Sequence, residues 1–229
     1  MKHVLIFLVF TLNALYGYVG FGFSGGLNSI RYDNGGSPLI LDNGNEVGEF
    51  SYDGFNSARS LGGYLYIDAL PIIDLDLELN LKLSPYKFVF SNDVVSSDTT
   101  QFVWLSSSLY MTIQKELFKK TIPWLAKIKV FAGGGINNHS STPMINQNML
   151  EAVMGGSESL EDGNFDSTEM IKYLEDKKID VSGFHVQVGG QFKVLIFDSM
   201  LLYRYIFTDG ITPDTKGFSD FSLRFGYAL

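Results

Sequence analysis

One stretch of this 229-residue sequence holds the residue types of nucleophilic catalysis: Asn137-Asn138-His139-Ser140-Ser141, with Glu151 further along. A histidine beside a serine can take its proton, and a carboxylate can orient the histidine. A polar turn contains the same residues. The expectation is therefore that the protein is not an enzyme, with His139, Ser141 and Glu151 as the candidates if it is one. Other chemistries find less support. There is no cysteine, which excludes a thiolate metal site and a disulfide scaffold. His3, His139 and His185 are scattered, so no metal cluster emerges. Gly133-Gly134-Gly135 lacks the lysine and the strand-to-helix context of a phosphate loop. The acidic residues at 33–53 and 158–162 match no twelve-residue calcium loop. No metal and no cofactor is expected. The net charge of −8, with no long basic run, argues against a nucleic-acid footprint.

The elements that would position these residues are strands. "DLDLELNLKL", residues 74–83, places a leucine at every second position, with Asp74, Asp76, Glu78, Asn80 and Lys82 between. A period of two means one apolar and one ionic face. In a soluble sheet the leucines enter a core, and in a membrane barrel they face lipid while the ions face the lumen. Similar alternation recurs from Tyr18, Leu61, Phe102, Leu125, Asp180, Ser199 and Asp220, giving eight strand candidates. A ten-stranded alternative places "PLILD" and "EVGEFSY" in the wall as a further hairpin. The connections run long, short, long, medium, long, short, medium. The largest, 137–178, holds two helical patterns, one stopped by Gly155-Gly156 and one capped by Asp166 or Ser167. Charged residues make up 18% of the chain, below the roughly 25% usual for soluble domains.

The two ends add direction. Lys2, an apolar run from Val4 to Leu12 and small residues up to Gly17 predict a signal peptide over residues 1–17 and a mature domain over 18–229. The run is too short for a spanning helix. At the other end Phe221, Leu223, Phe225, Tyr227 and Leu229 alternate with Asp220, Ser222, Arg224, Gly226 and Ala228.

This final strand resembles the assembly signal of bacterial outer-membrane barrels, although that family usually ends in phenylalanine. With the signal peptide and the loop rhythm, the mature chain resembles the small eight-stranded outer-membrane barrel proteins; no subfamily is assigned. The resemblance implies an antiparallel up-and-down transmembrane barrel with a partly helical extracellular loop, exported to the cell outer membrane and met there by lipid and the barrel-assembly machinery. Leu75, Leu77, Leu79, Leu81, Phe221, Leu223, Phe225 and Tyr227 would face lipid. The opposite parity would fill the lumen with Asp68, Asp74, Asp76, Glu78, Lys82, Lys127, Lys129, His185, Lys193, Arg204, Asp220 and Arg224, ions that a filled lumen tolerates only when paired. Gly20, Gly22 and Gly26 would leave a local gap. Trp104, Trp124, Tyr64, Tyr66, Tyr203, Tyr205 and Tyr227 are candidates for interfacial girdles. The stretch at His139 is similar to the His-x-Ser and later glutamate of outer-membrane lipid A deacylases, which would make the protein a lipid hydrolase. The leading reading is instead a plugged, non-enzymatic barrel working through surface loops that meet an extracellular ligand or partner, and the alternative is a porin-like barrel transporting a small or hydrophobic solute. A secreted soluble barrel with an internal ligand is the fourth.

Overall fold

The computed structural model describes residues 19–40, 44–68, 73–92, 99–123, 125–154 and 167–228. The expected signal peptide, Trp124 and Leu229 lie outside the described residues. Ten strands and two helices are described: β1 (Val19–Asn28), β2 (Gly35–Ile40), β3 (Glu46–Tyr52), β4 (Ala58–Ile67), β5 (Asp74–Asn92), β6 (Thr100–Ile122), β7 (Ala126–Ser141), α1 (Gln147–Met154), α2 (Ser167–Asp176), β8 (Ile179–Val194), β9 (Phe197–Phe207) and β10 (Phe218–Ala228).

Eight of the strands close on themselves. The antiparallel ring runs β1-β4-β5-β6-β7-β8-β9-β10 and returns to β1, where Gly20 to Asn28 pair with Ala228 to Asp220. Closure leaves the ring no free edge, which is how an all-antiparallel sheet survives without a covering layer. The β2–β3 hairpin stands outside the ring. β4 pairs with β5 only as far as Leu83, and β3 then takes over the same edge of β5 from Phe88 to Asn92. The hairpin anticipated from "PLILD" and "EVGEFSY" therefore forms, but above the wall and not within it.

The strands are longer than alternation alone suggested. "SPYKFVF" reads as the start of a loop, yet β5 continues through it, with Tyr86, Phe88 and Phe90 turned inward on the same parity as Lys82. β6 reaches Ile122 through a bulge between Glu116 and Phe118, which absorbs Leu117 and switches the outward parity from odd to even residues, so that Phe118 pairs with outward-facing Val130. β7 reaches Ser141, so residues 137–141 belong to the wall and the long connection begins at Thr142. With these bounds the connections alternate without exception. Those at 68–73, 123–125 and 195–196 are short and lie at the end of Val19 and Ala228; those at 29–57, 93–99, 142–178 and 208–217 are longer and lie at the other. α1 and α2 sit in the longest.

Polarity is inverted relative to a soluble core. Leu79 is 60% exposed and Phe225 58%, on the outer face, while Asp76 and Arg224 are fully buried inside. The apolar core proper lies above the lumen. Trp104, Tyr86, Phe88, Phe90 and Phe102 from the β5–β6 extension meet Ile30, Tyr32, Phe50 and Phe55 from the β1–β4 connection and Ile145, Met149, Leu150 and Val153 from α1 and its approach. Tyr86 OH accepts the Ile145 amide at 3.1 Å, and the Trp104 and Phe55 rings lie 5.6 Å apart. Long polar-looking loops thus fold into a roof over the barrel.

Candidate functional site: the closed lumen

Inward-facing residues of β1, β4–β6 and β8–β10 meet in the middle of the barrel. β5 supplies carboxylates because its alternation places Asp74, Asp76 and Glu78 on the inner face. Arg224 of β10 grips Asp76 with both terminal nitrogens, at 2.6 and 3.0 Å, and reaches Glu78 at 2.5 Å. Arg204 of β9 donates to Glu78 at 2.8 Å and to Gln187 Oε1 at 2.7 and 2.9 Å. Asn80 closes the shell around Glu78 at 3.0 Å and accepts from Ser24. Aromatic rings cover the cations: the Arg204 guanidinium lies 4.0 Å from the Tyr110 ring centre and that of Arg224 4.8 Å from Tyr64. An isolated buried charge is prohibitively costly, whereas this cluster gives each of these two carboxylates at least one arginine.

A second set closes the lower end. Lys129 bonds Asp74 and lies 3.4 Å from Asp68, which Lys127 also holds at 3.0 Å. Tyr66 donates to Asp198 at 2.7 Å, and Gln191 donates to both. Gly20 is no gap: a Cβ there would collide with the Tyr66 ring, which fills that space.

Above the arginines runs a chain of neutral groups with a defined direction. Asn137 Oδ1 only accepts, so His139 Nε2 donates to it at 2.9 Å and Nδ1 keeps its lone pair. Ser108 then donates to His139 Nδ1 at 2.7 Å, and its oxygen accepts from Lys82 at 2.6 Å. Asn137 Nδ2 points at His185 Nδ1 at 3.4 Å, which leaves His185 Nε2 to donate to Thr112 at 2.8 Å. Both histidines are thus fixed as the neutral Nε2–H tautomer, assigned from the partners.

His139, Ser141 and Glu151, the candidates if the protein were an enzyme, are not brought together. His139 and Ser141 lie two apart on β7, on one inward face, and His139 bonds Ser108 and Asn137. Ser141 Oγ is buried without a hydrogen-bond partner, and Glu151 on α1 accepts from Gln147 at 2.6 Å. The serine that does touch His139, Ser108, is 1% exposed beneath the aromatic roof. Of the expected ionic residues, Asp68, Asp74, Asp76, Glu78, Lys127, Lys129, Arg204 and Arg224 form ion pairs. Lys82 instead bonds Ser108 and Tyr110, and His185 bonds Thr112. Lys193 is half-buried and lies across from Asp198 in the β8–β9 register. Asp220 is buried, with both carboxylate oxygens unbonded. Sequence reasoning missed Asp198, Ser108, Asn137 and Gln187; strand parity places Ser108 and Gln187 inward, whereas Asn137 and Asp198 fall in stretches that read as connections. Trp104, Tyr64 and Tyr66 are buried inside and belong to no outer girdle; Tyr203, Tyr205 and Tyr227 are exposed on the outer face.

A closed antiparallel barrel of eight strands, apolar outside and ionic within, is the architecture of small membrane-spanning barrels. No protein-family model and no curated protein matches this sequence. Among solved structures the chain is similar to the outer membrane protein OprG from Pseudomonas aeruginosa, at 11% identity and a TM-score of 0.41 over 94% of this chain and 98% of that one. It is also similar to Ail, the attachment invasion locus protein of Yersinia pestis, in complex with the heparin analogue sucrose octasulfate, at 10% identity and a TM-score of 0.42 over 93% and 99%. The outer membrane protease OmpT from Escherichia coli follows at 11% identity and a TM-score of 0.31 over 92% and 93%.

Proposed function

We propose that this chain is a non-enzymatic integral protein of the bacterial outer membrane, closed to axial flow, whose extracellular end does its work by binding at the surface. The observation that carries the reading is the Asp76–Glu78–Arg204–Arg224 cluster, fully buried across a lumen that an aromatic roof covers from above. A solute would have to break both. Leu75, Leu77, Leu79, Leu81, Phe221, Leu223, Phe225 and Tyr227 lie on the outer face, an apolar belt suited to lipid. In the same reading the alternating outer face of β10 is the surface that the assembly machinery engages. Catalysis at Ser108 has no support, because no substrate reaches a serine sealed in the lumen. The test has two parts. Membrane fractionation with heat-modifiable migration on a gel should place the folded protein in the outer membrane. Recording in planar bilayers should give no conductance steps; regular steps would overturn the closed-lumen reading.

A further inference from the structure

Outside the lumen, at the extracellular end, a cavity of about 540 Å³ opens between the β2–β3 hairpin, the approach to α1 and the β9–β10 connection. Its size falls in the range of small-molecule sites. We infer that it is a binding site for a neutral saccharide unit, which deepens the surface-binding reading above and rests on it. Apolar side chains form the floor and polar ones the rim. Phe50 and Ile145 are buried and Tyr52 half-buried on the one, and Asn146 and Asp214 are exposed, with Asp33 half-buried, on the other. Tyr52 stacks on Tyr32 with ring centres 4.9 Å apart and planes within 8°. Gly35 lets it lie close, since a Cβ there would come within 2.6 Å of the Tyr52 hydroxyl.

The walls are fastened to one another before any ligand arrives. Asp33 N donates to Asp214 at 3.0 Å, and Arg31 N donates to Thr215 at 3.1 Å. Thr212 and Thr215 return hydroxyls to Arg31 O at 2.6 and 3.0 Å. Tyr86 holds the Ile145 amide from below. A rigid site loses less freedom on binding.

The rim decides the ligand. Arg31 bonds Asp33 through two nitrogens, at 2.5 and 2.6 Å, and holds its carboxyl below the usual carboxylate range. Asp214 gives one oxygen to the Asp33 amide and is otherwise exposed. Asn146 Oδ1 already accepts from Met149 N at 2.9 Å and from Tyr173 at 3.4 Å, so the free acceptors of the rim lie on Asp214, and Asp33 and Asp214 against Arg31 leave one net negative charge. The rim favours a donor-rich ligand and repels an anion. An apolar ring face toward the Phe50–Tyr52 side of the cavity with hydroxyls toward Asp214 describes a sugar.

The experiment uses the full-length mature protein in detergent, with chitotetraose and maltotetraose as probes and a sulfated tetrasaccharide as the anionic control. Ligand-observed NMR and calorimetry should show a neutral probe bound and the sulfated one excluded. Asp214→Asn keeps the acceptor for Asp33 N and removes the charge; it should weaken binding about tenfold, and Tyr52→Leu should abolish it. Three results would each overturn the inference: neither neutral probe binds, the sulfated probe binds at least as well, or Asp214→Asn binds as the parent does. Heat-modifiable migration of each variant shows that it is folded. A folded, non-conducting barrel that binds none of the probes refutes the saccharide site and leaves the barrel reading standing.

Discussion

Glu78 is the residue on which the lumen turns, and its replacement by glutamine is the most direct probe of the ionic cluster. The side chain is buried and accepts from Arg204 at 2.8 Å, Arg224 at 2.5 Å and Asn80 at 3.0 Å. Glutamine preserves size and one acceptor oxygen but removes the charge. Arg224 keeps Asp76 as a partner, whereas Arg204 loses its one ion pair among the described residues and retains the neutral Gln187, with Asp220 across from it in the β9–β10 register. A hydrogen bond to a charged group contributes about 1.5–3 kcal/mol and a neutral one about 1 kcal/mol. Two such bonds weakened, with one guanidinium left uncompensated, cost about 3–5 kcal/mol. Urea unfolding of protein reconstituted in lipid vesicles, followed by heat-modifiable migration, measures the change. Adding Arg204→Met to Glu78→Gln should recover at least half of the loss, because it removes the stranded charge. If Glu78→Gln alone changed stability by less than about 0.5 kcal/mol, as at an ordinary surface site, the cluster would not hold the lumen shut and the reasoning would fail.

Three further outcomes follow from neighbouring features. Leu79→Arg, on the outer face of β5, should destabilise the reconstituted barrel by about 2–4 kcal/mol if that face meets hydrocarbon near the membrane midplane; in a soluble barrel the exposed position would tolerate it, and the same urea titration tells the two apart. Trp104→Ala removes the largest side chain from the roof and should cost about 3–5 kcal/mol, with proteolysis of the extracellular connections rising before the barrel itself unfolds. Nitrogen-15 NMR of histidine-labelled protein should show His139 and His185 as Nε2–H tautomers at neutral pH; an Nδ1–H or doubly protonated ring at either would break the hydrogen-bond directions assigned to Ser108 and Asn137.

Much of the barrel was legible because a period of two is a local signal. Each leucine of residues 75–81 and each acid of 74–78 announces its face without reference to any other strand. The ends of strands were less legible. Pro85 and the polar "SPYK" read as the start of a loop, but Pro85 sits between the last β4 pairing of β5 at Leu83 and the first β3 pairing at Phe88, where a missing N–H is tolerated. Likewise "NNHSS" has the composition of a loop. Its residues become strand because Asn137, His139 and Ser141 face a polar interior, a surrounding that composition alone does not reveal. Partner choice was the least legible of all. Once residues 137–141 are strand, parity places His139 inward, yet only the register, which sets Ser108 of β6 opposite His139 of β7, shows which serine it meets.

The same register explains why the two ends of the barrel differ. At the outer end β5 and β6 climb past the limits of β4 and β7, which would leave the β5 edge bare; the β2–β3 hairpin pairs with it, and the exposed hairpin face then becomes a wall of the extracellular cavity. Below, the strands turn back through short connections and the lumen is filled by Asp68, Asp74, Lys127 and Lys129. Charge packs the barrel where neighbouring strands hold the ions at fixed spacing. Aromatic side chains pack it where the wall is incomplete and no opposing strand would fix an ion pair. The roof is therefore a consequence of the stagger of the strands, and the cavity on top of it is where shape is free to vary without disturbing the ionic cluster beneath.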